Sequence, residues 1–305
     1  MNAPLTAPGK IILLGEHAVL DGAPALALPI PGALHARIRL EASAGPSLCP
    51  MPDDPRVREA LALLARLIPG PGFELCWDAI LPPGAGLGAS ASLSFLLVQA
   101  AWQVAHPGIT ADPGELAAMT HRLEHCFHGT PSGIDDAVVC LGAAVLLQRP
   151  AVKVRWPFPK TELAPHLWQV TLPAPLHLVL GHSGEAASTR EMIARVRSGA
   201  GPGFADDLRL AFDAAVSALE TGDDEALGRV LSRVHDRLAR AGASTGHLDR
   251  MVELALAAGA LGAKLTGSGG GGCALALCPM SRLESVAEAW RAAGFQVLPV
   301  ITGPV

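Results

Sequence analysis

Apolar and polar positions divide the chain into strands and helices in mixed order. The apolar run at 10–14 predicts a buried strand, whereas 34–40 alternates and predicts a strand with one solvated face. At 55–68, helical spacing and a proline in the first turn predict a helix. Further strands are predicted at 25–30, 73–81, 143–148, 176–184, 262–278 (around a glycine loop) and 295–301, and further helices at 114–128, 202–221, 223–241, 246–258 and 281–294. This mixed order predicts both helix and sheet in each half.

The 305 residues favour two domains over one. A segment rich in Pro and Trp, 149–175, predicts a boundary near residue 165, which gives domains 1–165 and 166–305. In the second half, two strands flank a glycine loop and a helix leads to a last strand, the order of a split βαβ, ferredoxin-like sandwich. Residues 43–54 are rich in Pro and Ser and predict a loop.

A glycine-rich stretch, PPGAGLGASAS at 82–92, lies between a predicted strand and an apolar helix. Glycines allow positive φ, and a helix start offers free N–H groups, so the stretch predicts an anion site, most simply for phosphate. Gly84-x-Gly86-x-x-Ala89 also fits a dinucleotide fingerprint, but no acidic residue follows at the end of a second strand. The stretch lacks the Lys-Ser/Thr of a P-loop. A tight connection without ligand is the alternative.

Two other segments carry polar or glycine clusters beside apolar strands. Lys10, Glu16 and His17 lie in or directly after the first strand, where functional side chains gather, although an ordinary surface turn would look the same. KLTGSGGGGCALAL at 264–277 places glycines between core strands. We expect this segment to form a bare backbone wall against which a ligand or the other domain packs.

One predicted helix carries His121-x-x-Glu124-His125, the spacing of an inverted zinc-peptidase motif. A zinc site needs a third protein ligand, and no downstream pattern supplies one. Two other interpretations remain open. The residues could form a solvated helix face, or Glu124 alone could face a different metal.

Composition excludes several classes of protein. The net charge is −5 with no basic stripe, which argues against nucleic acid. No apolar run reaches the length of a membrane span, about 18 residues or more. The six cysteines form no CxxC pair, and the N-terminus has no apolar signal region. We therefore expect a cytoplasmic protein with no membrane partner.

Four segments together resemble the GHMP family of small-molecule kinases. They are PGKIILLGEHAVLDG (8–22), PPGAGLGASAS (82–92), EHCFHGTPSGIDDAV (124–138) and KLTGSGGGGCALAL (264–277). The third is similar to the branch of the family that phosphorylates mevalonate. The resemblance implies an α+β, two-domain GHMP kinase fold. Its N-terminal domain would be like ribosomal protein S5 domain 2, and its C-terminal domain would be a ferredoxin-like α/β sandwich.

The resemblance also implies a role for each matching residue. Asp135 and Lys10 would be catalytic, with Asp135 accepting the proton of the attacking primary hydroxyl. Ser90 and Glu124 would bind Mg²⁺. The ATP phosphates would lie against Pro83, Gly84, Ala85, Gly86, Leu87, Gly88, Ala89 and Ser90. Mevalonate and the phosphate site would be contacted by Glu16, His17, Thr189, Gly267, Ser268, Gly269 and Gly270.

The sequence departs from the family pattern at three positions near these residues, one of which is Arg190, where Lys is frequent. Ala89 replaces the first Ser of the usual GLGSSA loop, and Asp136 stands where Asn is usual. Three alternatives stay open: a family kinase for a sugar or related hydroxy acid, a non-catalytic ligand sensor, and a zinc hydrolase using His121, Glu124 and His125. We expect a monomer or a homodimer.

Overall fold

The computed structural model describes residues 4–40, 45–79, 85–149, 155–186 and 188–302. The chain divides into two compact units. The first comprises Met1–Lys10, Pro29–Pro83 and Gly88–Gly142; the second comprises Ile11–Leu28, Gly84–Leu87 and Ala143–Val305. Both units therefore take segments from the first 165 residues, and the domain boundary near residue 165 stays a prediction.

Strands and helices alternate along the described chain. The strands are β1 (Leu5–Leu14), β2 (Ala25–Leu40), β3 (Pro46–Cys49), β4 (Phe73–Ala79), β5 (Val145–Leu147), β6 (Lys160–Ala164), β7 (Leu167–Val170), β8 (Leu176–His182), β9 (Gly262–Thr266), β10 (Cys273–Leu277) and β11 (Gln296–Thr302). The helices are α1 (Pro55–Leu67), α2 (Ala89–Ala105), α3 (Pro113–His128), α4 (Ile134–Leu141), α5 (Thr189–Gly199), α6 (Phe204–Thr221), α7 (Asp224–Arg240), α8 (Gly246–Ala257) and α9 (Leu283–Ala292).

The first unit packs α1–α4 against a small sheet. Strand β4 pairs with the last seven residues of β2 in antiparallel fashion and with β3 in parallel. Helix α2 is buried on nearly every side, which its continuous apolar sequence dictates, and α1, α3 and α4 pack around it. The polar residues at the start of α2 are thereby fixed by the core behind them.

The second unit contains an antiparallel sheet in the order β11-β8-β10-β9. A strand order of 4-1-3-2, with α5–α8 after the first strand and α9 before the last, is the ferredoxin-like arrangement. The split βαβ prediction is therefore confirmed. The glycine segment 267–272 connects β9 to β10. Strands β5, β7 and β6 continue the sheet from β2: β5 pairs with residues 25–27 of β2, and β7 pairs with both β5 and β6.

Several local predictions hold. Helix α1 begins after Asp54, whose carboxylate accepts a hydrogen bond from the Arg56 N–H, and Pro55 occupies its first turn. Ser188 precedes Glu191 by three residues, the spacing that predicts a capping box, and the Ser188 Oγ accepts a hydrogen bond from the Glu191 N–H at the start of α5. None of the helices in the described ranges combines the length and apolarity needed to cross a membrane.

Two local predictions were wrong, and two further strands went unpredicted. Residues 25–40 form one strand and not two, because prolines such as Pro31 are compatible with extended backbone. Part of the predicted loop at 43–54 is strand β3, which β4 stabilises by parallel pairing. The Pro- and Trp-rich stretch contains β6 and β7, a hairpin that pairs onto β5. Each missed strand has five residues or fewer and depends on a partner elsewhere in the chain.

Candidate active site

A lysine and an aspartate form an ion pair in the first unit. Lys10 lies on β1, and Asp135 lies in the first turn of α4, directly after Gly133 turns the chain with φ 83°. The Lys10 Nζ is 3.0 Å from the Asp135 Oδ1, and the two side chains are 7% and 31% exposed. A carboxylate in the first turn also gains from the helix dipole. The predicted catalytic pair is thus in contact, with its carboxylate reachable from solvent.

The start of α2 is held against β1 beside this pair. Gly88 caps the helix with φ 77°, and a Cβ at that position would lie 3.2 Å from the Lys10 Cβ and 3.3 Å from the Lys10 backbone N. The Ser92 Oγ lies 2.6 Å from the Pro8 carbonyl oxygen. The first N–H groups of α2 therefore stay close to the lysine, in a position suited to an anion.

A buried carboxylate, Glu124 on α3, faces the same end of α2. The Ser90 Oγ donates to its Oε2 at 3.1 Å, and the Ser94 Oγ donates to its Oε1 at 3.0 Å. The His128 Nε2 lies 3.0 Å from the Ser90 Oγ. Burial raises the pKa of Glu124 to about 7; the Ser94 hydrogen bond opposes this, and the Asp135 charge adds to it. A bound cation would favour the ionised form of this carboxylate.

The three residues of the zinc-peptidase spacing face different partners. The His121 Nδ1 is hydrogen-bonded to the Asp136 Oδ2, and the His125 Nδ1 lies 2.6 Å from the Gly129 carbonyl oxygen. Glu124 is engaged by two serines. Among the residues that the structure describes, these side chains do not form a metal-ligand cluster. This geometry does not support the zinc-hydrolase alternative.

In the second unit, Glu16 forms an ion pair with Lys264 of β9. The Lys264 side chain is 0% exposed and that of Glu16 is 1% exposed. Burial lowers the pKa of Lys264, and the Glu16 carboxylate opposes that shift. The Glu16 Oε2 is buried and has no hydrogen-bond partner within the described part of the chain. One Glu16 carboxylate oxygen is thus paired with Lys264, and the other can accept a hydrogen bond from a further donor.

His17 contacts the third glycine segment. Its Nε2 lies 2.8 Å from the Ser268 carbonyl oxygen, and burial lowers the pKa of the imidazole. The His17 backbone has φ 56°, a left-handed value that is uncommon for a non-glycine residue. The preceding Gly15 has φ 102°, and a Cβ there would lie 2.3 Å from the Pro24 carbonyl oxygen. The turn after β1 therefore requires glycine, and it aims His17 at residue 268.

The glycines of segment 267–272 pack closely against neighbouring parts of the chain, because they carry no side chains. A Cβ on Gly269 would lie 2.1 Å from the Ala243 carbonyl oxygen, and one on Gly272 would lie 3.2 Å from the Ala85 carbonyl oxygen. The predicted bare wall is present. Ala243 and Ala85 both belong to the second unit, as the glycine segment does.

The remaining predicted residues divide into three groups. Pro83 and Gly84 lie outside the described residues. Gly86 has φ 75° and the Leu87 side chain is buried, and the predicted phosphate contacts of both residues stay predictions. Thr189 is exposed at the first position of α5, and its predicted role at the substrate stays a prediction.

Three contacts went unpredicted. Ser94 lies four residues after Ser90 on α2, and His128 lies four residues after Glu124 on α3, so each shares a helix face with a predicted residue. That spacing is a signal that could have identified both. Lys264 is a charged residue in the otherwise apolar strand β9, which is itself a sign that a buried partner exists.

These features together define a class of protein. Glycines with positive φ lead into a helix start, a lysine pairs with an aspartate, and a hydroxyl adjoins a buried carboxylate. This arrangement suits a small-molecule kinase that is not of the P-loop type. The family models described as "GHMP kinases N terminal domain" and "GHMP kinases C terminal" match residues 56–143 and 215–296. The chain belongs to the GHMP kinase family, whose members are ATP-dependent small-molecule kinases.

The similarity to relatives in this family extends over nearly the whole chain. The chain is 31% identical to a mevalonate kinase of Thermococcus sibiricus, with 99% of this chain and 96% of the relative covered. It is 31% identical to a mevalonate kinase of Pyrococcus abyssi, with 95% and 92% covered.

Solved structures match the fold at full length. The mevalonate kinase of L. major in complex with R-mevalonate superposes with a TM-score of 0.83 at 25% identity, covering 100% of this chain and 97% of that one. The mevalonate kinase of Methanococcus jannaschii gives a TM-score of 0.80 at 19% identity, with 100% and 99% covered. The predicted α+β, two-domain GHMP kinase fold is therefore confirmed.

Proposed function

We propose that this protein transfers the γ-phosphoryl group of ATP to the primary hydroxyl of mevalonate, with Mg²⁺ as cofactor. In the reaction a bond forms between the γ-phosphorus and the hydroxyl oxygen. The bond from the γ-phosphorus to the oxygen that bridges it to the β-phosphorus breaks, and ADP leaves. The near full-length similarity to mevalonate kinases supports this acceptor. The observation that carries the proposal is the contact of 3.0 Å between Lys10 and Asp135.

In this proposal Asp135 holds the acceptor hydroxyl and takes its proton at a carboxylate oxygen. Lys10 keeps that carboxylate in place and offsets the negative charge that develops on the attacking oxygen. Phosphoryl transfer depends mainly on in-line positioning and charge stabilisation, so a base and a cation in contact suit it. A positioned general base typically contributes about 10²–10⁴-fold to the rate.

The oxygen atoms of the Ser90 and Glu124 side chains are suitable ligands for Mg²⁺. This ion prefers oxygen ligands, and it commonly takes only one or two from protein alongside water and phosphate. One hydroxyl and one carboxylate meet at 3.1 Å, and the carboxylate is buried with its pKa raised to about 7. Bound there, Mg²⁺ would neutralise the charge of the β- and γ-phosphates.

The phosphates themselves would lie along the glycine loop and the start of α2. Gly86 and Gly88 adopt positive φ, a conformation that glycine permits and that lets the backbone of a loop approach a ligand closely. The predicted phosphate contacts at Pro83, Gly84, Ala85, Leu87, Ala89 and Ser90 belong to this proposal. No lysine occupies the loop, so Lys10 and the metal would supply the positive charge.

Mevalonate would be recognised by residues of the second unit. His17 is fixed by the Ser268 carbonyl, and Glu16 keeps one buried oxygen without a protein partner in the described ranges. Such an oxygen is suited to accept a hydrogen bond from a substrate hydroxyl. Thr189, Gly267, Gly269 and Gly270 are proposed to complete this site. The cytoplasmic location and the monomeric or homodimeric state remain predictions.

The substrate is tested by one coupled assay of ADP release with equal concentrations of mevalonate, phosphomevalonate and galactose. We expect Mg²⁺-dependent ADP release with mevalonate at a kcat/KM at least about 100-fold above the others, a discrimination of about 2.7 kcal/mol. A preference for galactose or another alcohol would mean that the same residues phosphorylate an acceptor other than mevalonate. No turnover with any alcohol, while ATP still binds, would favour a ligand sensor and would refute the proposal.

A further inference from the structure

Two cysteines and a glutamate cluster on strands β3 and β4, among residues that the kinase chemistry does not use. The strands run parallel, with Cys49 opposite Cys76 and Ser47 opposite Glu74. Because side chains alternate along a strand, Glu74 and Cys76 lie on the same face, and Cys49 joins them there. The two Sγ atoms and one Glu74 carboxylate oxygen all lie within 4.8 Å of one another.

We propose that Cys49, Glu74 and Cys76 bind a thiophilic divalent cation, with Zn²⁺ as the ion that fits best. Tetrahedral zinc with bonds of about 2.3 Å to sulfur and about 2.1 Å to oxygen separates S from O by about 3.6 Å. The Cys76 Sγ is 3.5 Å from the Glu74 Oε2. Cys49 is exposed, which leaves room for water as a fourth ligand.

The ligand types favour Zn²⁺ over Mg²⁺, the metal proposed to bind with ATP. Thiolates suit Zn²⁺ and its heavier analogue Cd²⁺, whereas Mg²⁺ prefers oxygen. Binding replaces two thiol protons, so each Zn²⁺ that enters releases two H⁺ and forms two Zn–S bonds without any redox change. The cation would fasten the four-residue strand β3 to β4.

One neighbour competes with the cation. The Arg39 Nη1 lies 2.8 Å from the Glu74 Oε2, and the Arg39 side chain is 67% exposed. An exposed ion pair contributes little, at most about 1 kcal/mol, so zinc coordination displaces it readily. The arginine nevertheless places positive charge beside the site. Removing it should therefore strengthen cation binding, a response that no purely structural role of these residues would give.

The experiment titrates Zn²⁺ into the full-length, untagged chain, which is freed of metal and kept reduced, against a chromophoric chelator. We expect one tight Zn²⁺ per chain. Replacing an outer-shell partner of a zinc site typically costs about 10–100-fold in affinity, so removing a ligand should cost at least about 100-fold in Cys49→Ser and in Cys76→Ser. Arg39→Gln should bind several-fold tighter. Cys126→Ser removes a half-buried thiol outside the cluster and should bind as the parent does.

Cd²⁺ serves as a second probe that needs no variant. Bound Cd²⁺ should give the ultraviolet charge-transfer absorption of a two-thiolate site in the parent chain. No saturable Zn²⁺ binding, no such absorption, or unchanged Zn²⁺ affinity in the Cys49→Ser/Cys76→Ser double variant would overturn the proposal. Circular dichroism of each variant checks that its fold is intact.

Discussion

The buried ion pair between Glu16 and Lys264 offers a test of the packing around the turn after β1. Lys264→Met removes the positive charge and keeps a similar volume. The Glu16 carboxylate then stays buried, with neither of its oxygens paired to a cation. Breaking one side of a buried ion pair costs about 3–5 kcal/mol. That is a large part of a typical free energy of unfolding of about 5–15 kcal/mol.

The assay is urea denaturation followed by circular dichroism. With an m-value of about 2.5 kcal/mol/M, the loss lowers the urea midpoint by about 1–2 M. The double variant Glu16→Met/Lys264→Met removes both charges. Its midpoint should return to within about 1 M of the parent, because apolar residues of similar volume often replace a buried pair at no net cost.

Two results would refute this reasoning. An unchanged midpoint in Lys264→Met would mean that the pair does not carry opposite charges in the folded protein. A double variant that is as unstable as Lys264→Met alone would mean that the loss comes from packing and not from the unpaired carboxylate. The difference between the two variants measures the electrostatic part directly.

Three further substitutions separate catalysis from stability. Gly88→Ala strains a left-handed position, at about 1–2 kcal/mol, and presses on Lys10, so both Tm and kcat should fall; unchanged kcat would contradict the close approach. Ser94→Ala removes a hydrogen bond to ionised Glu124 that contributes about 1.5–3 kcal/mol, so the Mg²⁺ concentration for half-maximal rate should rise about tenfold or more; an unchanged requirement would exclude this site. Asp54→Ala removes a helix cap and should cost about 1 kcal/mol by urea denaturation at unchanged kcat; altered kcat would contradict its purely local role.

Local signals account for most of the elements that could be predicted. Asp54 and Pro55 define the start of α1, and Ser188 with Glu191 defines the start of α5, because caps act within one turn. The ferredoxin-like order of the second unit also follows from the sequence of strands and helices. Strands β3, β6 and β7 could not be predicted, because they are short and exist through pairing with β4 and β5.

The residues of the candidate site also divide into those that the sequence predicts and those whose contacts only the folded chain reveals. Sequence motifs identify Lys10, Ser90, Glu124 and Asp135. Ser90 and Asp135 lie in the first turns of α2 and α4, each of which begins after a glycine with positive φ. The bond from His121 to Asp136 joins two helices, and its geometry is set by helix packing and not by spacing.

The pair of Glu16 and Lys264 spans 248 residues of sequence, so only the folded chain brings it together. A buried lysine in an apolar strand indicates that some carboxylate must meet it, but the sequence does not identify which one.

The central claim is that Asp135 accepts the proton of a mevalonate hydroxyl beside Lys10. The most direct test compares ADP release by the parent chain, Asp135→Asn and Asp213→Asn, the last being an exposed aspartate on α6. We predict mevalonate-dependent turnover in the parent and in Asp213→Asn, and a kcat lower by about 10²–10⁴-fold in Asp135→Asn, whose circular dichroism should show the fold of the parent. Full turnover by Asp135→Asn, or ADP release that does not depend on mevalonate, would contradict the account.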